Sequence, residues 1–181
     1  MNTNLYKFKE DYFVMTQRKW TFISGCLRCI KHRNLRFLLV SRLSCGHGLC
    51  SFFAELFRRR FEDKYGLEIK TNNIEGGLLL AHAFNITVNS KAVIGHNVTL
   101  FKGATIGSVR SGKRKGCPTI GNRVVICCNA TVCGNITIGN DVLIAANSFV
   151  DFNVPDNSIV IGNPGRIYKK LSASKDYLNG L

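Results

Sequence analysis

The chain has 181 residues and a mass of 20.1 kDa, the size of one domain or of one domain with an appendage. With 45% hydrophobic and 20% charged residues it can pack a core, which excludes wholesale disorder; 10% aromatics and only 3 Pro exclude a low-complexity linker. Lys and Arg number 25 against 11 Asp and Glu, a formal charge of +14 that suits a polyanionic partner: nucleic acid, an acidic membrane surface or a phosphorylated cofactor.

From Tyr6 to about Tyr65 the pattern is helical. Apolar residues recur at three- and four-residue steps, as in Phe22, Ile23, Cys26, Cys29 and Ile30, then Leu35, Leu38, Leu39 and Leu43. Cys45-Gly46-His47-Gly48 interrupts the run and Phe52 to Phe61 resumes it. No apolar stretch reaches the roughly 18–20 residues of a membrane span. Arg36 and Arg42 bracket the best candidate, and the charged start (Lys7, Lys9, Glu10, Asp11) does not read as a secretory signal. A cytoplasmic protein is expected. This half holds most of the basic excess, including Arg58-Arg59-Arg60. A solvated helix face is the expected reading, with contact to an acidic membrane as the alternative; no nucleic-acid-binding motif is present. The eight cysteines are expected to be free thiols. Cys26, Cys29, Cys45 and Cys50, with His32 and His47, can be drawn as a zinc site, but Trp20 to Leu43 reads as helix and no metal is expected.

The second half follows a six-residue period. Ile94, Leu100 and Ile106 open the frame, which resumes after an interruption as Ile120, Ile126, Val132, Ile138, Ile144 and Val150; Ile74, Leu80 and Val88 extend it upstream. A small residue often follows, as at Gly95, Gly107, Gly121 and Gly139, and a second apolar position falls four after the first. This period fits neither an amphipathic helix nor a meander. It fits short strands joined by corners, three to a coil, with the branched residue inside. Glycine would let the backbone turn there through positive φ, and Asn at 97, 122, 129, 135, 140 and 147 would suit left-handed corners. The expected organisation is an α-helical region over 1–65, a parallel β-helix over 66–168 and a tail over 169–181.

Several segments carry a resemblance to a known family. Gly77-Leu-Leu-Leu-Ala-His82, Ala92-Val-Ile-Gly-His-Asn-Val98, Thr105-Ile-Gly107, Pro118-Thr-Ile-Gly121 and Ile161-Gly-Asn-Pro-Gly-Arg-Ile167 resemble the hexapeptide-repeat acyltransferases, and more narrowly the serine O-acetyltransferase group. The resemblance implies a left-handed parallel β-helix behind a helical N-terminal region. It also implies a homotrimer or dimer of trimers, a site between adjacent subunits, no bound cofactor, and acetyl-CoA as acetyl donor to a small hydroxyl-bearing acceptor.

The resemblance places His82 as general base, since an alcohol needs its proton removed to attack a thioester. Glu68, 14 residues upstream, corresponds with one residue deleted to the family's orienting carboxylate. The Gly107 N–H is the candidate donor to the tetrahedral oxyanion. His96 reads as a corner residue without a catalytic role. The interruption Ser108–Pro118 must leave the coil as a loop; Arg110, Lys113, Arg114 and Lys115 on it suit the phosphates of coenzyme A. Arg166 is a further candidate contact, with Lys169 and Lys170 nearby.

The chain departs from the family's better-known members at Ala81, where an acid is common, and at Gly116-Cys117, where a basic pair precedes the proline. The resemblance implies that the family's residues at those positions help bind the amino-acid acceptor. The expected activity is L-serine O-acetylation for cysteine synthesis. The alternatives are acetylation of a sugar hydroxyl on a surface-polysaccharide precursor and a non-catalytic β-helix scaffold. A metal-dependent β-helix hydratase would need several converging histidines, and the repeats offer His82 and His96 alone.

Overall fold

A computed structural model describes residues 3–178. Residues 1 and 2 of the expected helical region and 179–181 of the expected tail lie outside the described residues. Four helices come first: α1 (Thr3–Thr16), α2 (Phe22–Lys31), α3 (Arg33–Ser44) and α4 (Leu49–Tyr65). Sequence periodicity predicts one helix over Trp20 to Leu43, but the chain breaks at His32, which is extended at φ −106° and ψ 111°. The break separates two environments: α3 buries Leu35, Phe37 and Leu38, while α2 buries only Gly25 and Cys29. Gly66 at φ 62° ends α4, its N–H donating to the Glu62 carbonyl, and hands the chain to the first strand.

The remainder is a left-handed parallel β-helix of about five coils. The first coil holds β1 (Leu67–Ile69) and β2 (Leu79–Ala81); the second holds β3 (Ile86–Val88), β4 (Val93–Ile94) and β5 (Thr99–Phe101). β6 (Thr105–Gly107), β7 (Thr119–Ile120) and β8 (Val125–Ile126) make the third, and β9 (Thr131–Cys133), β10 (Thr137–Ile138) and β11 (Val142–Ile144) the fourth. The last has β12 (Phe149–Val150) and β13 (Ser158–Ile161), after which β14 (Arg166–Lys169) folds back antiparallel on β13. The three faces are the sheets β1-β3-β6-β9-β12, β4-β7-β10 and β2-β5-β8-β11-β13-β14. All twelve positions of the six-residue frame are buried, stacked in register as Val88–Ile106–Val132–Val150 and Leu80–Leu100–Ile126–Ile144–Val160. Each such side chain is worth about 1.5–3 kcal/mol of burial.

The corners differ from expectation in an instructive way. Gly95, Gly121 and Gly139 are not in the left-handed region. They are glycine because coils stack tightly there: a Cβ on Gly95 would lie 2.8 Å from the Gly121 carbonyl oxygen, and one on Gly121 would lie 2.7 Å from that of Gly139. The left-handed corners belong to Asn97, Asn129 and Asn147 as expected, and also to Arg123 and Asp141. Asn122 and Asn140 are not left-handed. Their side chains link coils: Asn122 Oδ1 accepts the His96 N–H at 2.8 Å, and Asn140 Oδ1 accepts the Asn122 N–H at 2.9 Å. Asn135 is likewise not left-handed, and its N–H donates to the Arg114 carbonyl at 2.9 Å. Gly121→Ala is therefore expected to cost about 1–3 kcal/mol through overpacking. Thermal unfolding followed by circular dichroism should show a lower melting temperature with an unchanged native spectrum.

Helices α1 and α3 cap the N-terminal end of the solenoid. Arg42 and Asp11, both fully buried, pair at 2.9 Å; Arg42 also donates to the carbonyls of Ile74 (2.6 Å) and Glu75 (2.7 Å), and Asp11 accepts the Leu78 N–H (2.8 Å). Asn34 and Arg33 donate to the carbonyls of Leu80 (2.8 Å) and Ala83 (2.9 Å). Backbone groups that an open first coil would leave exposed are thus satisfied. The C-terminal segment packs along the face of β5, β8 and β11: Ala173 and Leu178 lie on Val125, Cys127 and Leu143, and the Ser174 hydroxyl donates to buried Asp141 at 2.5 Å. All eight cysteines are free thiols. Among the described residues, no helix is long and apolar enough to cross a membrane.

Candidate active site

The sheet containing β1, β3 and β6 is the face on which the candidate residues gather. Glu68 is central in β1 and pairs with Thr87 of β3, which pairs in turn with Thr105 of β6. Its alternating burial (Leu67 in, Glu68 out, Ile69 in) turns the carboxylate to the outer surface. Glu68 and Gly107 line one pocket of about 260 Å³ together with Arg58, Glu62, Lys70 and Asn89. Arg58 was not anticipated as part of it. Its guanidinium is buried and held by Glu55 at 2.8 Å and Glu62 at 3.1 Å, one turn to either side on α4. The hydrogen bond from Arg58 pulls the Glu55 carboxyl down to about 2, so this clamp is intact above the ordinary glutamate range and is lost only as pH falls towards that value.

His82 lies elsewhere. It occupies the corner after β2, exposed, in the left-handed region at φ 52°. The chain runs from β2 through this corner into β3, whereas the loop leaves at the end of β6 on the opposite edge of the same face. Within one chain His82 is therefore outside the pocket that holds Glu68 and Gly107, and among the described residues its side chain makes no hydrogen bond to Glu68.

The register also decides which backbone group is free. Thr105 N–H donates to the Ala130 carbonyl at 2.9 Å, and the Gly107 carbonyl accepts from Gly134 at 3.4 Å. Parallel ladders alternate sides residue by residue, so the Gly107 N–H also faces β9, opposite Cys133. The oxyanion donor expected at Gly107 is thereby committed to the sheet. The next residue, Ser108, lines the cavity adjoining that pocket; its N–H makes no hydrogen bond among the described residues, and its hydroxyl accepts from the Asn89 amide at 3.2 Å. Six-residue spacing could not reveal this, because it does not say which way a strand's last amide points.

The basic insertion is a hairpin. Val109 and Gly116 exchange backbone hydrogen bonds at 3.0 Å each, and Lys115 N–H donates to the Gly112 carbonyl at 3.2 Å. Arg114 is paired with Asp151, and its carbonyl accepts the Asn135 N–H at 2.9 Å, so it anchors the loop along the coils. Arg110, Lys113 and Lys115 are exposed; Arg110 and Lys115 line an adjoining cavity of about 390 Å³ with Asn89, Ser90, Lys91 and Cys117. Arg166 is exposed on β14, at the C-terminal end of a different face, and is not brought to the loop within the chain. Among the described residues no group of three or more His, Cys, Asp or Glu is placed to hold a metal.

Known proteins resemble the chain in sequence and in fold. The family model for the bacterial transferase hexapeptide (six repeats) matches residues 117–151. The serine acetyltransferase of Staphylococcus xylosus is 40% identical over 106 residues, which is 58% of this chain and 49% of that protein. The chain carries the hexapeptide repeat and is related to the serine acetyltransferases. It spans about half the length of the curated relatives it matches. The soybean serine acetyltransferase apoenzyme superposes with a TM-score of 0.73 at 26% identity, covering 93% of this chain and 70% of that one. The Neisseria gonorrhoeae serine acetyltransferase in complex with serine gives 0.72 at 25% identity, covering 91% and 69%. The likeness in structure thus extends over the helical cap as well as the solenoid.

Proposed function

We propose that the chain is a subunit of a cytoplasmic, acetyl-CoA-dependent O-acetyltransferase whose acceptor is L-serine. The observation that carries this reading is that the pocket holding Glu68 and Gly107 adjoins, across Asn89 and Ser90, the cavity holding Ser108 and the cationic hairpin's Arg110 and Lys115. Relatives named serine acetyltransferase, one of them solved with serine, support the choice of acceptor.

His82 and the loop root lie on opposite edges of that face, so a single chain leaves the site open. A homotrimer, alone or doubled, sets the His82 edge of one copy beside the loop edge of the next and completes it. His82 takes the proton from the acceptor hydroxyl while its oxygen bonds to the thioester carbonyl carbon. Glu68 stabilises the resulting imidazolium. The oxyanion is met by the Ser108 N–H at the end of the Gly107 strand. Collapse breaks the carbon–sulfur bond, and the departing coenzyme A thiolate recovers the proton from His82. Arg110, Lys113 and Lys115 are the phosphate ligands; Arg114 holds the hairpin. Replacing these three by Gln should raise the KM for acetyl-CoA at least tenfold with the acceptor KM unchanged, as charge-assisted contacts to phosphate are worth about 1.5–3 kcal/mol each.

A second reading has a specific basis. Ala81 has no charge, Gly116 is spent on the hairpin, and Cys117 donates to Asn89 at 3.3 Å, so these positions offer nothing to an amino acid's ammonium and carboxylate. The acceptor is then a sugar hydroxyl of a polysaccharide precursor. Mass-spectrometric identification of products from L-serine, free sugars and nucleotide sugars separates the two: O-acetylserine supports the first reading, and an acetylated sugar alone replaces it by the second.

A further inference from the structure

Helix α2 leaves its apolar surface uncovered. Phe22, Ile23, Leu27 and Ile30 are 78%, 76%, 62% and 68% exposed. At about 100° per residue they span an arc of roughly 140°, with Lys31 roughly 40° beyond one edge. The helix is seated by its remaining face: Gly25 lies so close to the Trp20 indole that a Cβ there would meet the ring at 2.4 Å. Trp20 is in turn packed edge-on against Phe8 and Tyr12, each with ring centroids 5.1 Å away. The exposed arc is thus a fixed feature of the cap.

The charge around this arc has one sign. No Asp or Glu occurs between Asp11 and Glu55, while Arg18, Lys19, Lys31 and Arg36 are exposed. An uncovered apolar face of this size calls for a partner. A second copy of the same helix would bring two cationic surfaces together with no carboxylate to pair them, which is unfavourable. An anionic phospholipid surface meets both requirements at once. Helix α4 differs: it also exposes Leu49, Phe52, Phe53, Leu56 and Phe57, but carries Glu55, Glu62 and Asp63 and has no such single-sign field.

We propose that α2 is an in-plane anchor for an anionic bilayer surface. Phe22, Ile23, Leu27 and Ile30 enter the boundary between headgroups and acyl chains, and the flanking Lys and Arg lie at lipid phosphates. This assignment is independent of the reading of the active site. It is tested by flotation of the full chain with vesicles of phosphatidylcholine alone or mixed equally with phosphatidylglycerol. Flotation is expected with the mixed vesicles only, and is expected to fall as salt rises. Leu27→Glu should abolish it; Lys31→Gln should weaken it about fivefold. These residues are at the surface, so unchanged circular dichroism and melting temperature verify the fold of each variant. Absence of flotation with anionic vesicles, equal flotation with neutral ones, or undiminished flotation of Leu27→Glu overturns the proposal. So does self-association without lipid that Leu27→Glu removes, which assigns the face to a second copy.

Discussion

His82→Asn is expected to lower turnover about 10²–10⁴-fold while leaving acetyl-CoA affinity and the melting temperature near wild type. Asparagine is the informative replacement because His82 sits at φ 52°. Alanine is less at home in the left-handed region than histidine, so it would mix a folding effect with a chemical one. Asparagine tolerates that geometry, as it does at Asn97, Asn129 and Asn147 on other corners, and it cannot act as a base near neutral pH. Glu68→Gln should give a smaller loss, since it removes the charge that steadies the imidazolium but not the base. Steady-state kinetics with both substrates varied checks this. Undiminished turnover of His82→Asn would move proton transfer to another group.

Arg42→Met is expected to be the most damaging single change to stability. The Arg42–Asp11 pair is fully buried, and removing one partner leaves the other charge unmatched, at a cost of about 3–5 kcal/mol. For a chain of this size that is roughly a 6–20 °C fall in melting temperature. The loss should exceed that of an ordinary ion pair, because Arg42 also satisfies the carbonyls of Ile74 and Glu75 and Asp11 the N–H of Leu78. Combining Arg42→Met with Asp11→Leu should recover part of the loss, since no lone charge remains, but not all of it, since those backbone groups stay unpaired. Thermal unfolding of both single variants and the double variant measures this coupling. Additive losses would mean that the pair does not act as the lock between cap and solenoid.

The solenoid was readable because its order is one-dimensional. Each coil repeats the same local problem, so a column such as Leu100–Ile126–Ile144 appears in the sequence at fixed spacing before any long-range contact is known. The reason for the glycines was not readable. Spacing marks Gly121 as small, but only the stack of coils reveals that closeness to Gly139, and not positive φ, excludes a side chain. The helical cap was legible as helix and no further. Arg42 looked like one of many surface cations, and its partner lies 31 positions away; Arg58 looked the same, although its carboxylates stand at helical spacing on either side. At the site, sequence brought forward Glu68, His82 and the cationic insertion. It could not say that His82 and the insertion occupy opposite edges of one face, that Arg114 is taken by Asp151, or that the free amide belongs to Ser108 instead of Gly107. Each of these depends on which side of a strand or corner a group faces, which the six-residue period does not encode.

The most direct measurement is the consumption of acetyl-CoA by the wild-type chain, followed by loss of thioester absorbance with L-serine as acceptor. A thiol-reactive dye is unsuitable because the chain has eight free cysteines of its own. Saturable, serine-dependent loss of the thioester, accompanied by free coenzyme A in equal amount, is the result expected of a serine acetyltransferase. No thioester loss with serine or any sugar hydroxyl, together with no binding of acetyl-CoA, would contradict it and leave the solenoid as a scaffold.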